Sequence, residues 1–341
     1  MRVVKVITND EKEGDISLDV GNKYEFSILK FSEKNYSQKE NSIITVGTFD
    51  GLHLGHRKIL ETLVSKGTQL NLRKTVITFE PHPRLVLKNK HKKEIKLLSS
   101  INEKLIFFEL LGIDTVFIIN FTEEFSKTPA INFYENYLLD TIGLKYLIIG
   151  YDHTFGKNRE GNYETVRMLS EKYNFGFLRI SEFRINDEIV SSTVIRNLIN
   201  NYDLEKASTF LGRNYSFNGK VVYGDKRGKT LGFPTANIEV EDKNKLIPPD
   251  GVYAVKVIVT GEEYIGMMNI GVRPTVNKKL NELKQEKFIE VHILNFDKDI
   301  YDAIITIEFI KFIRNEKKFE SITELIEQLK KDKKTIELLN Q

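Results

Sequence analysis

The 341-residue chain contains no cysteine. That excludes a disulfide framework, a thiolate nucleophile and any zinc site that needs sulfur ligands, so a metal must rest on oxygen or imidazole. Long apolar runs are missing as well. The longest, around Val116–Phe121 and Tyr146–Tyr151, fall far short of the ~20 residues needed to cross a bilayer. The Met1–Asp15 stretch mixes Arg2 and Lys5 with Asp10, Glu11, Glu13 and Asp15 and lacks the apolar core of a secretory signal. These absences lead us to expect a soluble, cytoplasmic protein with no membrane partner. Charge of one sign is scarce too: 51 Lys+Arg oppose 48 Asp+Glu, a net +3, too little to argue for a nucleic-acid backbone as partner. Neither an internal repeat nor a low-complexity segment is visible.

Apolar material is present in quantity, with 40% hydrophobic residues, 22 Phe and 14 Tyr. A domain usually takes roughly 100–200 residues, so two cores are expected. Up to about residue 200, short β-branched runs (Ile43–Val46, Thr75–Phe79, Thr115–Asn120, Tyr146–Gly150) alternate with helical patterns (Arg57–Gly67, Asn102–Leu111, Ala130–Thr141). This is the pattern of an α/β, Rossmann-like doubly wound parallel sheet. Beyond it, Val221–Tyr223, Gly251–Val259, Tyr264–Ile270, Phe288–Leu294 and Ile304–Phe309 follow one another with little helix between, which favours a small antiparallel barrel or sandwich. A last helix is signalled by the capping box Ser321-Ile-Thr-Glu324, with Ile322, Leu325, Ile326 and Leu329 on one face. The expected domains are 1–200 and 204–341, divided at the Asn-rich stretch near Asn200–Asp203.

Directly after the first strand comes Gly47-Thr-Phe49-Asp50-Gly51-Leu-His53-Leu-Gly55-His56. A strand, a glycine-rich turn and a helix start form a phosphate site, because free backbone N–H groups and the positive end of the helix dipole point into one crevice. Residues three apart on a helix share a face, so His53 and His56 can aim two imidazoles at one polyphosphate. The spacing, without a glutamate, argues against a zinc hydrolase. Thr78-Phe-Glu-Pro81-His82-Pro83 and Gly150-Tyr-Asp152-His153-Thr-Phe-Gly156 place polar groups at further strand ends, and Asp152 is a candidate for a ribose hydroxyl or an amide. Ser192, Thr193 and Arg196 open another helix. An arginine there opposes the helix dipole, and a phosphate between the two resolves the conflict. Such parts suit adenylyl transfer, in which an acceptor phosphate attacks the α-phosphorus of ATP without a general base.

The second constellation begins Gly224-Asp-Lys226-Arg-Gly228-Lys229-Thr230. It has three residues between its glycines where a P-loop needs four, and it runs into a proline-bearing turn and strand rather than a helix, so a P-loop is rejected. What remains is a basic, glycine-rich flap beside Gly232-Phe-Pro234-Thr235-Ala-Asn237. Residues two apart in an extended chain face one side, so the Thr235 hydroxyl and the Asn237 amide can offer two neutral oxygens to Mg²⁺. Further on, Phe288-Ile-Glu290-Val-His292-Ile-Leu294 alternates. Partial burial would make Glu290 a better proton acceptor and a candidate general base. On this segment alone, an exposed strand glutamate is the more ordinary reading.

Gly-x-Phe-Asp-Gly-x-His-x-Gly-His resembles the flavin branch of the His-x-Gly-His nucleotidyltransferases. Gly-x-x-x-Gly-Lys-x-x-Gly-Phe-Pro-Thr-Ala-Asn is similar to the riboflavin kinase family, together with Gly251-Val-Tyr-Ala, Asn269-Ile-Gly-Val-Arg-Pro-Thr275, Glu290-Val-His292 and Phe312-Ile-Arg314-Asn-Glu316-Lys-Lys-Phe319. The whole chain resembles the bifunctional riboflavin kinase/FAD synthetases of bacteria. That resemblance implies a nucleotidyltransferase domain followed by a β-barrel kinase domain, with ATP, riboflavin and FMN as small-molecule substrates and Mg²⁺ as cofactor. It implies ATP contacts at Gly47, Phe49, Asp50, Gly51, Gly55, Asp152, Ser192, Thr193 and Arg196 in the first site. For the second it implies Gly224, Lys226, Gly228, Lys229, Gly232 and Pro234 over the phosphates and Thr235 and Asn237 on Mg²⁺–ATP. Glu290 would take the proton of the ribityl 5′-hydroxyl, and Asn269, Arg314 and Glu316 would meet the flavin. The chain departs from the family at His153, usually aromatic, at Ile300-Tyr301-Asp302-Ala303, usually Leu-Tyr-Gly, and over Val276 and Lys278–Lys287, expected as a loop. A homo-oligomer is neither required nor excluded. Two other readings stay open: a nucleotidyltransferase for another acceptor, such as phosphopantetheine or nicotinamide mononucleotide, and a non-catalytic flavin-binding regulator.

Overall fold

The structure is a computed structural model that describes residues 1–7, 24–30, 40–87, 95–224, 231–277 and 282–339. It divides into two compact units, Met1–Ser191 and Ser192–Gln341.

The first unit is built on a seven-stranded sheet: β1 (Arg2–Ile7), β2 (Phe26–Lys30), β3 (Ser42–Val46), β4 (Arg73–Glu80), β5 (Thr115–Asn120), β6 (Leu144–Gly150) and β7 (Gly176–Ile180). Their order is β2-β1-β5-β4-β3-β6-β7, with every pair parallel; β8 (Arg184–Ile185) and β9 (Glu188–Ile189) form a separate antiparallel pair. Both faces are covered, as parallel sheets require: Val4, Ile44, Phe117 and Leu147 join one apolar cluster, and Val3, Ile43, Val116 and Ile148 join another. Strands β1, β2 and β7 escape the sequence reading. The segment expected as a helix over Ala130–Thr141 is a short α-turn continued as a π-helix, Phe133–Ile142, whose Phe133, Tyr134 and Tyr137 are buried.

From β3 the chain moves to β4 and β5 on one side and later to β6 and β7 on the other. The point where the order reverses lies between β3 and β6, and open α/β sheets bind ligands outside the strand ends at such a point. The loop Gly47–His53 leaves the end of β3, and Gly150-Tyr151-Asp152 leaves the end of β6.

In the second unit the helices Ser192–Asn200 and Leu204–Leu211 precede β10 (Ser216–Val222), β11 (Ala236–Val240), β12 (Gly251–Val259), β13 (Glu262–Asn277), β14 (Glu282–Ile293) and β15 (Ile304–Arg314). These six strands close into a barrel in the order β10-β11-β14-β13-β12-β15, so the barrel prevails over the sandwich. The stretch Lys278–Lys287, expected as a loop, is strand from Glu282 onward. Gly266 shows how tightly the interior is filled, since a Cβ there would meet Val291, Val257 and Val255 at 2.9–3.2 Å.

The C-terminal helix runs Ile322–Leu338, with the Ser321 hydroxyl accepting from Glu324 N–H as expected. The reciprocal Glu324 bond goes to the N–H of Glu320 instead of the cap residue. Of the expected face, Leu329 packs on the barrel and Leu325 and Ile326 are half-buried, while Ile322 is 67% exposed; the face is continued by buried Asp332 and Ile336. Ile336 joins Phe233, Val252, Ala254 and Met267 in an apolar cluster.

Candidate active sites

In the first unit the two histidines meet by a route other than the one expected. His53 precedes the Leu54–Leu70 helix as its N-cap, and its Nδ1 accepts the backbone N–H of His56 at 3.3 Å. Capping one turn ahead lays the imidazoles on each other, with centroids 3.7 Å apart and planes inclined by 19°. Phe49 sets its edge against His56 at 5.4 Å. Phe49 and Leu52 both hold positive φ, 49° and 44°, a conformation costly for side-chain-bearing residues. Both are buried, and that burial anchors the turn. Gly51 has φ +85°, and a Cβ there would sit 2.7 Å from Leu98.

Asp50 has a visible structural duty. Its buried carboxylate accepts the backbone N–H groups of Leu98 and Ser99 at 2.8 and 3.1 Å, while Gly51 N–H donates to Ser99 Oγ at 2.9 Å. The turn is thereby bound to the start of the Ile101–Leu110 helix. That helix delivers a residue the sequence reading overlooked: Lys104 is 2% exposed, and its ammonium donates to the Thr48 carbonyl at 3.4 Å. The signal was available, since Lys104 falls in the apolar stripe of Ile101, Leu105 and Phe108. Burial, then His53, then Lys104 hold His56 well below the usual imidazole range. Its Nδ1 is buried without a hydrogen-bond partner among the described residues. A neutral imidazole beside a buried ammonium is poised for an incoming polyanion, whose charge would raise its proton affinity.

Across the switch point, the end of β6 opens on a cavity of about 210 Å³ lined in part by Gly150, Asp152, His153, Tyr163 and Arg179. Asp152 is exposed at its mouth. His153 lies 5.2 Å from the Phe155 ring, and burial lowers its pKa to about 4. At neutral pH it is therefore an uncharged ring, at the position where the resemblance leads one to expect an aromatic. His82 caps the short Pro83–Val86 helix by accepting Arg84 N–H. Ser192, Thr193 and Arg196 open the Ser192–Asn200 helix, which clusters with the second unit.

The second site is assembled by strand register. Glu290 on β14 is paired with Asn237 on β11 and with Asn269 on β13. Directly opposed residues share a face of the sheet, so three polar side chains distant in sequence form one row. Gly224 lies against this row, and a Cβ on it would collide with the Asn237 amide at 1.9 Å. Next to Asn269, Gly271 makes room for Glu316, whose carboxylate would lie 2.1 Å from an added Cβ. Burial, with help from Asp250, pushes the Glu316 carboxyl up, and Asn269 and Arg314 oppose it. Asn269 Oδ1 is buried without a hydrogen-bond partner among the described residues. Arg314 is held by a bidentate pair with buried Asp332, 2.8–3.2 Å, which Gln328 also contacts. It therefore ties the C-terminal helix to β15. Gly232 and Pro234 are exposed and Thr235 half-buried just before β11. Lys226, Gly228 and Lys229 lie outside the described residues. At the Ile300–Ala303 departure, Tyr301 stacks on Tyr223 with centroids 4.1 Å apart.

The fold and these two polar constellations are those of a two-unit enzyme, with an α/β unit followed by a barrel. An FAD synthetase family model matches residues 35–194, and a riboflavin kinase model matches residues 211–339. The bifunctional riboflavin kinase/FMN adenylyltransferase of Bacillus subtilis is 37% identical over 87% of this chain and 92% of its own length. That of Escherichia coli K12 is 36% identical over 88% and 94%. A crystal structure from Streptococcus pneumoniae described as a macrolide-efflux protein superposes with a TM-score of 0.80 and 27% identity, covering 89% of this chain and 96% of that one. No helix among the described residues is long and apolar enough to cross a membrane. The chain belongs to the bifunctional riboflavin kinase/FMN adenylyltransferase family.

Proposed function

We propose that the barrel unit phosphorylates riboflavin with ATP to give FMN and ADP, and that the α/β unit then joins FMN to ATP to give FAD and pyrophosphate. The supporting observation is the pair of dissimilar polar constellations, one suited to each nucleophile. The domain limits we propose are 1–200 and 204–341, whereas compactness divides the chain at Ser191/Ser192.

In the first step the ribityl 5′-hydroxyl attacks the γ-phosphorus of ATP and must lose its proton. Glu290 takes it, from the middle of the row with Asn237 and Asn269. The Thr235 hydroxyl and Asn237 amide oxygen, with the orphaned Asn269 oxygen close by, are hard, neutral donors of the kind Mg²⁺ accepts. Thr235 and Asn237 would hold Mg²⁺, which when bound neutralises phosphate charge. Gly224, Gly232 and Pro234, with Lys226, Gly228 and Lys229, cover the phosphates. Asn269 and Glu316 receive the flavin, and Arg314 supports them through Asp332.

In the second step the FMN phosphate is already an anion, and no base is needed. His53, His56 and the backbone of Gly47, Gly51 and Gly55 receive the ATP phosphates. Phe49 and Asp50 fix the turn, and Asp152 orients the nucleotide. Stabilisation of developing negative charge by preorganised donors carries the rate. ATP as the shared co-substrate accords with the cytoplasmic location expected from sequence.

Nucleotide products test this division. Riboflavin with ATP and Mg²⁺ should release ADP, and FMN with ATP should release pyrophosphate and no ADP. ADP release driven by FMN, or no release with either flavin, would overturn it.

A further inference from the structure

Strand β11 pairs with β14 only as far as Ala236 opposite Val291. One step further, in the same register, Thr235 faces His292, and there the backbone ladder has ended. The connection continues through a side chain: His292 Nδ1 lies 2.7 Å from the Pro234 carbonyl oxygen. A carbonyl only accepts, so Nδ1 must carry the hydrogen and donate it. His292 is 8% exposed, and the Phe233 ring sets its edge against it at 5.3 Å. The imidazole is thus fixed by packing on one side and by its hydrogen bond on the other. Pro234 has no N–H with which to extend the ladder, so His292 is the cross-strand hydrogen bond given to this carbonyl.

We propose that His292 is a positioning residue of the kinase site, clamping the Pro234 carbonyl so that the Thr235 hydroxyl and Asn237 amide stay aligned for Mg²⁺–ATP. In this role it acts through the Pro234 carbonyl and not on the nucleotide or the flavin. The role is specific to one ring nitrogen. Burial lowers the pKa of His292, the Pro234 bond partly offsets this, and Lys333 lowers it further; the neutral Nδ1–H tautomer meets the requirement. The inference rests on the reading of Thr235 and Asn237 as metal–nucleotide ligands.

Asn and Gln at position 292 separate this role from simple filling of space. In His292→Asn the amide nitrogen stands near the place of Nδ1, and in His292→Gln near that of Nε2. A lost hydrogen bond of this kind corresponds to about a tenfold change. His292→Gln should therefore raise the KM for Mg²⁺–ATP in riboflavin phosphorylation about tenfold with little change in kcat. It should also weaken calorimetric binding of Mg²⁺–ADP, the product of the kinase step alone, by a similar factor. His292→Asn should stay within about threefold of the unaltered chain in both. Equal behaviour of the two variants, or a loss confined to kcat, would overturn the proposal. Thr235→Ala is assayed alongside. If it leaves KM and Mg²⁺–ADP binding unchanged, the ligand reading falls; if it impairs both while Gln and Asn do not differ, only the role of His292 falls.

Discussion

The two units solve the same problem, holding ATP phosphates beside a flavin, with opposite construction. In the α/β unit the groups proposed to meet phosphate are consecutive in sequence, from Gly47 to His56, and their geometry depends on a tight turn with Phe49 and Leu52 at positive φ. In the barrel, Asn237, Glu290 and Asn269 are brought together by register. The difference reflects chemistry. Pyrophosphate expulsion by an anionic nucleophile requires converging donors, which a turn and helix start supply. Phosphorylation of a hydroxyl requires a base placed among polar neighbours, which a strand face supplies.

The contrast is most easily broken at the base. Glu290→Gln should lower FMN formation by about 10²–10⁴-fold while FAD synthesis from supplied FMN stays intact; equal losses in both reactions would erase the distinction between the units. His53→Ala combined with His56→Ala should do the reverse, reducing adenylyl transfer by about 10²–10³-fold with riboflavin phosphorylation preserved. Survival of FAD synthesis in that variant would remove the histidines from the site.

A third test concerns how the barrel is closed off. Arg314 and Asp332 form a largely buried pair, with side chains 21% and 3% exposed. Removing one partner of such a pair typically costs about 3–5 kcal/mol. Asp332→Ala should therefore destabilise the barrel in denaturant titration and leave the α/β transition in place. An unchanged barrel transition would return Arg314 to the flavin as its main partner.

The smallest effect is expected at His153. Its folded value of about 4 lies below the unfolded value of about 6.5, so the unfolded chain binds the proton more readily. The associated stability is present above about pH 6.5 and is lost as pH falls towards about 4. His153→Phe should remove this loss, so that the thermal midpoint of the α/β unit drops about 4–7 °C less between pH 7 and pH 5 than in the unaltered chain. Identical drops would show that His153 does not titrate on unfolding.

These differences also explain what could be read before any coordinates. The Gly47–His56 motif was legible because a turn writes its demands into adjacent residues, although the actual device, His53 as cap, differs from two histidines on one helical face. Lys104, Ser99 and the buried duty of Asp50 were not, because each depends on the Leu98–Ser100 segment meeting the turn from elsewhere in the sheet. In the barrel, alternation around Glu290 predicted its strand but not its neighbours. Register is set by pairing over the whole sheet, so Asn237 and Asn269 could be joined to it only through resemblance. Arg314 shows the limit most plainly: its motif suggests flavin, while its partner Asp332 lies on the C-terminal helix, a polar residue that no apolar stripe marks as buried.

The most direct test of two consecutive activities in one chain is chromatographic separation of flavins after mixing the unaltered protein with riboflavin, ATP and Mg²⁺. FMN should appear first and decline as FAD accumulates. Formation of neither FMN nor FAD would contradict the account.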